Sequence, residues 1–178
     1  MFIRRLHRQG NTVKEVIVLG PEKFVRLRIP FEAAGICGPL RNLQQPLATL
    51  DFLPTLHTRS ELEAFIARHV REDDVWVWDE GGVILGFMIL RSNELFLLYL
   101  EPAASGRGIG TQLLEHAKQE RPDGFTLWTF QQNDGARRFY ERHGLRAVEL
   151  TDGAGNEERV PDVRYEWRPP AARGSSAR

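Results

Sequence analysis

The stretch Leu100-Glu101-Pro102-Ala103-Ala104-Ser105-Gly106-Arg107-Gly108-Ile109-Gly110-Thr111-Gln112-Leu113-Leu114 decides how the chain is read. An apolar strand, Leu95 to Leu100, runs into alternating glycines at 106, 108 and 110, and then into a helix from about Ile109 to Gln119. That helix carries Ile109, Leu113, Leu114 and Ala117 at helical spacing. Glycines let the backbone reverse and expose successive N–H groups. Together with the positive end of the helix dipole they make an anion site. The dipole contributes only about 0.3–1 kcal/mol per charge, so the amides must supply most of the grip, with Arg107 able to add a cation. A dinucleotide fingerprint would need a third glycine where Thr111 stands, and a Walker A loop would need a lysine that the turn lacks. A turn that only joins strand to helix tightly would use the same glycines.

Working outward, the strand before the turn is apolar on both faces, which predicts a central strand covered on both sides. Upstream of it, Val75-Trp76-Val77-Trp78 and Val83 to Leu90 read as strands joined by Asp79-Glu80-Gly81-Gly82. Ser60 with Glu63 reads as a capping box opening a helix through His69. Phe24 to Pro30 alternates apolar and basic residues as a strand does. Residues 31 to 57, broken by glycines and prolines, predict one or two short helices. Downstream, Phe125 to Phe130 is a strand, Asn133 to His143 a helix ended by Gly144, Leu145 to Leu150 a strand, Thr151 to Asp162 a polar loop and Val163 to Trp167 a last strand. This predicts one domain over residues 23–168, an N-terminal extension over 1–22 and a disordered tail over 169–178.

At 178 residues the chain is long enough for one buried core. Lys+Arg and Asp+Glu are both 24, and a formal charge of zero argues against a general nucleic-acid binder. The longest apolar run, Val83 to Leu90, is too short to cross a bilayer. The basic start, Met1 to Arg8, has no apolar stretch behind it, so no secretory signal is expected. One cysteine, Cys37, leaves no intrachain disulfide and no cysteine metal cluster. A cytoplasmic protein without a membrane or nucleic-acid partner is the expectation. No two histidines stand at metal-ligand spacing, so no metal is expected.

The strand, Pro102 and Gly106-Arg107-Gly108-Ile109-Gly110 resemble the strand–turn–helix pattern of the GCN5-related N-acetyltransferase (GNAT) family. About thirty residues on, Asn133-Asp134-Gly135-Ala136-Arg137-Arg138-Phe139-Tyr140 with Gly144-Leu145 resembles the family's second motif. The resemblance covers about Phe24 to Trp167. The segment Asn156-Glu157-Glu158, Pro161-Asp162 and Tyr165-Glu166-Trp167 is similar to a recurring bacterial subgroup. Ser105 stands where the family prefers Gln or Arg. The strand Leu95-Phe96-Leu97-Leu98 lacks the polar group that many relatives carry there.

The resemblance implies an α/β (α+β) fold: a mixed, mostly antiparallel twisted sheet of six to seven strands, helices on both faces, and a splayed parallel pair between the strand ending at Leu100 and Phe125–Phe130. It implies that acetyl-CoA is the co-substrate and lies in that splay. Leu98 and Leu100 would offer main-chain groups to the pantetheine arm. Gly106, Arg107, Gly108, Ile109, Gly110 and Thr111 would surround the pyrophosphate, and Asn133 and Tyr140 would lie near the thiol. A primary amine, small-molecule or peptide, would attack the thioester directly, with Tyr140 as general acid to the thiolate. Glu101, Glu157 and Glu32 are the candidate bases. A non-catalytic acyl-CoA-binding module on the same fold, and a nucleotide-binding protein using the same turn, are the competing readings.

Other residues are weighed against plainer roles. Asn133 suits a helix N-cap as well as a cofactor contact. His143 is expected to serve the helix C-terminus, and His57, His69 and His116 to lie at the surface. Trp76 and Trp78 are expected to pack on one face. Trp128, Glu157 and Glu158 are the candidates for acceptor binding. The Val75–Leu90 hairpin or the last strands could pair two copies, leaving monomer and homodimer open.

Overall fold

The computed structural model describes residues 24–27, 56–81 and 83–170. The expected extension over 1–22, the short helices over 31–55, Glu32 and the tail beyond 170 lie outside the described residues. Seven strands form one sheet: β1 (Phe24–Leu27), β2 (Asp74–Glu80), β3 (Val83–Arg91), β4 (Glu94–Leu100), β5 (Phe125–Phe130), β6 (Arg146–Leu150) and β7 (Asp162–Trp167). Their spatial order is β1-β2-β3-β4-β5-β7-β6. Among the described residues the α-helices are α1 (Arg59–Glu72), α2 (Ile109–Glu120) and α3 (Asp134–Arg142). β4 occupies the centre, as its two apolar faces require.

Alternation along the strands sorts the core into two layers. Val75, Val77, Phe87, Ile89 and Tyr99 face one way and pack with Ile66 and Val70 of α1. Trp76, Trp78, Met88 and Leu90 face the other way and pack with Leu113, Leu114 and Ala117 of α2 and Tyr140 of α3. Trp76 and Trp78 thus pack in one core cluster, as expected. A bulge between the Ile89 and Leu90 pairings leaves Phe96 without a partner on β3. It re-aims β4, so that Leu97 and Phe96 both pack on the α1 side.

The α1 cap differs from the expectation. Thr58, not Ser60, is the N-cap: its backbone N–H donates to Glu61 Oε2 at 2.7 Å, and its hydroxyl accepts from the Glu61 N–H. Thr58-x-x-Glu61 fits the same pattern two residues earlier, and only there do both reciprocal bonds close. The Thr58 N–H and hydroxyl both donate to Glu61 Oε2 and hold the Glu61 carboxyl below its ordinary range.

Two histidines expected at the surface are buried. His69 lies in the last turn of α1, its ring against Phe65 and Phe96. Its Nδ1 is 2.5 Å from Asp73 Oδ2, an i,i+4 partner that makes burial tolerable. His116 sits three residues after Leu113 on the core side of α2, edge-on to Trp76 at 4.2 Å. Burial lowers its pKa, against the pull of Glu120. His57 is only half-buried, 3.3 Å from Glu157.

Candidate active site

β4 and β5 are the parallel pair, and their pairing is confined to Glu94↔Thr126, with the Thr126 N–H donating to the Asn93 carbonyl. Beyond that point the strands diverge. On the other edge of β4 the Glu101 N–H donates to the Leu85 carbonyl at 2.9 Å. Peptide groups alternate between the two edges of a strand, so those of Leu98 and Leu100 turn toward the splay.

The glycine turn lies at the open end of the splay. A short 3₁₀ turn, Pro102–Ala104, leaves β4, and Gly106 and Gly108 follow with φ of 76° and 78°. Gly108 is the N-cap of α2 and offers no side-chain cap. The first helical bond within α2 is donated by Gln112 to Gly108. The amides of Ile109, Gly110 and Thr111 therefore open outward, a three-donor end with a partial positive charge. The glycines have different tasks. A side chain at 106 or 108 would meet nothing within 4 Å, so only the left-handed backbone requires glycine there. At Gly110 an added Cβ would lie 3.0 Å from Leu100 Cδ1 and 3.5 Å from Phe139, so close packing requires it.

This contrast yields a graded expectation. Gly108→Ala destabilises the fold by about 1–2 kcal/mol through backbone strain alone. Gly108→Asn costs less, because Asn tolerates this conformation. Thermal melts should rank Gly, Asn, Ala and Val in descending order, and an Ala variant as stable as wild type would refute the strain argument.

Arg107 is exposed and its Nη2 donates to Glu80 Oε2 at 2.7 Å. Glu101 accepts from the Tyr99 hydroxyl at 3.0 Å, while burial first and this carboxylate second push the Tyr99 phenol upward. Asn133 is the N-cap of α3, its Oδ1 accepting from the Ala136 N–H at 3.1 Å. Tyr140 is buried, its ring beside Phe139 and Tyr165. Its hydroxyl has no hydrogen-bond partner among the described residues, and burial alone raises its pKa.

On the far half of the sheet, Trp128 is exposed on β5, with Arg164 5.9 Å from its ring. Glu157 and Glu158 lie on the β6–β7 loop, with Glu157 Oε2 3.3 Å from His57 Nε2. Polar clamps shape this loop. Gln131 Nε2 donates to the carbonyls of Thr151 and Asp162, and Asn156 Nδ2 donates to Val160 O and Asp162 Oδ2. Gly153 passes so near the Val160 backbone that a Cβ would overlap it. Neither Gln131 nor Gly153 carries a local sequence signal for these contacts, because their partners lie outside any helix or strand period. No cluster of three or more potential metal ligands occurs among the described residues, and no helix there is long and apolar enough to cross a membrane.

The sheet is thus split at its centre, with the N-terminus of α2 at the open end of the split. The sequence pattern of the acetyltransferase (GNAT) domain matches residues 71–146. A peptidyl-lysine N-acetyltransferase YjaB of Salmonella typhimurium is 36% identical over 103 residues, covering 57% of this chain and 69% of the relative. The solution structure of apo YjaB from Escherichia coli superposes with a TM-score of 0.61 at 26% identity, covering 81% of this chain and 97% of that one. A GNAT acetyltransferase from Elizabethkingia anophelis, solved with acetyl-CoA bound, shares the fold at a TM-score of 0.52 and 14% identity, covering 60% of this chain and 82% of that one. The chain belongs to the GNAT family and is an acetyl-CoA-dependent N-acyltransferase.

Proposed function

We propose that this enzyme acetylates the ε-amino group of lysine in peptides or proteins. The observation that carries the transfer chemistry is the single register position joining β4 and β5. Past it, Leu98 and Leu100 turn main-chain donors and acceptors toward a cleft that fits an amide-bearing pantetheine arm. The acceptor class rests on the 36%-identical relative that bears the name of a peptidyl-lysine acetyltransferase.

The reaction is direct. Acetyl-CoA lies along the splay with its diphosphate over Gly106 to Thr111. A lysine amine is mostly protonated at neutral pH, so its proton must leave before attack. Glu101, at the wide end of β4, is the carboxylate we assign to this step, directly or through water. The free amine attacks the thioester carbon, and a strand N–H near Leu98 stabilises the oxyanion. The C–S bond breaks, Tyr140 supplies the proton to the departing thiolate, and the proton that the attacking nitrogen still carries in excess leaves through water as the amide forms, which restores the phenol. Asn133, whose Oδ1 already caps α3, has its amide nitrogen left for the pantetheine. Trp128, Glu157 and Glu158 are assigned to the lysine side chain and its flanks.

Acetyl-CoA and lysine-containing peptides, with free lysine and a polyamine as comparators, test the reading. Thiol release with N-acetyllysine in the product is the expected result. Glu157→Lys is expected to raise KM for a basic peptide by about 3- to 10-fold with little change in kcat, since it alters steering of a cation. Tight coenzyme binding without turnover on any amine would favour the non-catalytic module, which the apolar side chains of Leu95, Leu97 and Leu98 also suit.

A further inference from the structure

The proposed diphosphate grip has a titratable ring directly behind it. Thr111 is the third residue of α2, and its hydroxyl lies 3.0 Å from His143 Nε2, on a residue 32 positions later. The other ring nitrogen, Nδ1, is 2.7 Å from the Phe139 carbonyl. A carbonyl can only accept, so Nδ1 carries a proton. In the neutral ring Nε2 is then bare, and the Thr111 hydroxyl must donate to it. That hydroxyl has no proton left for an anion over the helix end. In the imidazolium form Nε2–H donates to Thr111 Oγ1 instead, and the hydroxyl proton is released toward whatever occupies the first turn.

A diphosphate stabilises the second arrangement in two ways. It accepts the released hydroxyl proton, and its negative charge lies one hydroxyl away from the imidazolium. We infer that His143 is a positioning residue that takes up a proton when the coenzyme binds, with Thr111 as the relay. The inference rests on the diphosphate reading given above.

Among the described residues, further charged groups stand near the ring. From α2, Lys118 Nζ donates to the His143 carbonyl at 2.9 Å and is paired with Glu115 at 2.8 Å. On α3, Arg142 precedes His143, and Glu141 accepts from the Tyr165 hydroxyl. Arg146, exposed, opens β6. The face of the ring is covered by Phe139, at 4.4 Å between centroids. The diphosphate is the charge that binding adds beside Thr111. Uptake of a proton on binding makes coenzyme affinity fall as pH rises.

Titration calorimetry with 3′-dephospho-CoA tests this, because its diphosphate does not titrate near neutrality. In buffers of different ionisation heat, wild type is expected to take up a sizeable fraction of one proton, and Kd to rise about 3- to 10-fold between about pH 6 and 8. Thr111→Val keeps the shape and removes the relay, so uptake should vanish, and Thr111→Ser should restore it. His143→Gln presents a donor at every pH and should flatten the dependence. Binding without proton uptake, or uptake unchanged in Thr111→Val, overturns the inference. Absence of any binding heat for both CoA and dephospho-CoA overturns the coenzyme reading itself, which is a different result.

Discussion

Replacing Tyr140 by Phe is expected to lower kcat by about 10²- to 10³-fold, within the range that general acid catalysis contributes. The Tyr140 ring is buried between Phe139 and Tyr165, while its hydroxyl has no hydrogen-bond partner among the described residues. Removing that oxygen breaks no hydrogen bond of the fold, so Tm should stay within about 2 °C of wild type. Binding of acetyl-CoA should also stay within about twofold, because the main-chain donors of the splay and the α2 amides are untouched. Burial raises the phenol's pKa, so the proton remains in place at neutrality and well above it. The proposed acid is therefore expected to be protonated at the start of every turnover, with no fall in kcat between about pH 7 and 9 from its ionisation. The expected signature is a large kcat loss with the pH profile, melting temperature and coenzyme affinity preserved. Wild-type turnover in Tyr140→Phe would remove this residue from the mechanism.

The sequence revealed the parts of this molecule that repeat a period or fill a motif. β5 runs from Phe125 to Phe130 as read from its apolar pattern, and α2 starts at Ile109. The central place of β4 follows from its two apolar faces. Gly106, Gly108 and Gly110 were legible as a turn. Their different tasks were not, because a positive φ and a close approach both select glycine. The contacts that escaped are those made across long separations. The Thr111–His143 bond joins the start of one helix to the end of another, and nothing local marks either residue as its partner. His69 and His116 were misplaced because a polar side chain reads as exposed unless its buried partner is known. Asp73 and the Trp76 ring supply that context in space. The proposed acceptor side was least legible. Its β6–β7 loop is shaped by Gln131, Asn156 and Asp162 through bonds to carbonyls, which leave no residue pattern.

The other large effect is expected at a position with no motif. Gly86 lies in β3, opposite Trp78 on one side and Leu100 on the other, and faces α2. A Cβ there would stand 2.7 Å from Leu100 Cδ2, 2.9 Å from the Tyr99 carbonyl oxygen and 3.3 Å from Leu113 Cδ1. The two methyl groups can rotate, but the carbonyl oxygen belongs to the β3–β4 ladder and cannot move without breaking register. Leu100 has little room, since its Cδ1 already lies 3.0 Å from where a side chain on Gly110 would begin. Leu100 is thus wedged between two glycines, one on β3 and one in the first turn of α2. Gly86→Val drives it against that turn and displaces the Ile109, Gly110 and Thr111 amides. Overpacking of this kind costs about 1–3 kcal/mol, which for a domain of this size lowers Tm by roughly 2–10 °C. Misplacing three convergent donors should raise Kd for acetyl-CoA by about tenfold or more, since one neutral hydrogen bond contributes about 0.5–1.5 kcal/mol and bonds to a charged group more. The double variant Gly86→Val, Leu100→Ala tests the wedge directly. Leu100 offers the cleft only its peptide group, so trimming its side chain should recover part of both losses, a coupling of the kind neighbours show. Full stability and affinity in Gly86→Val alone, or no recovery in the double variant, would show that α2 is not seated through Leu100.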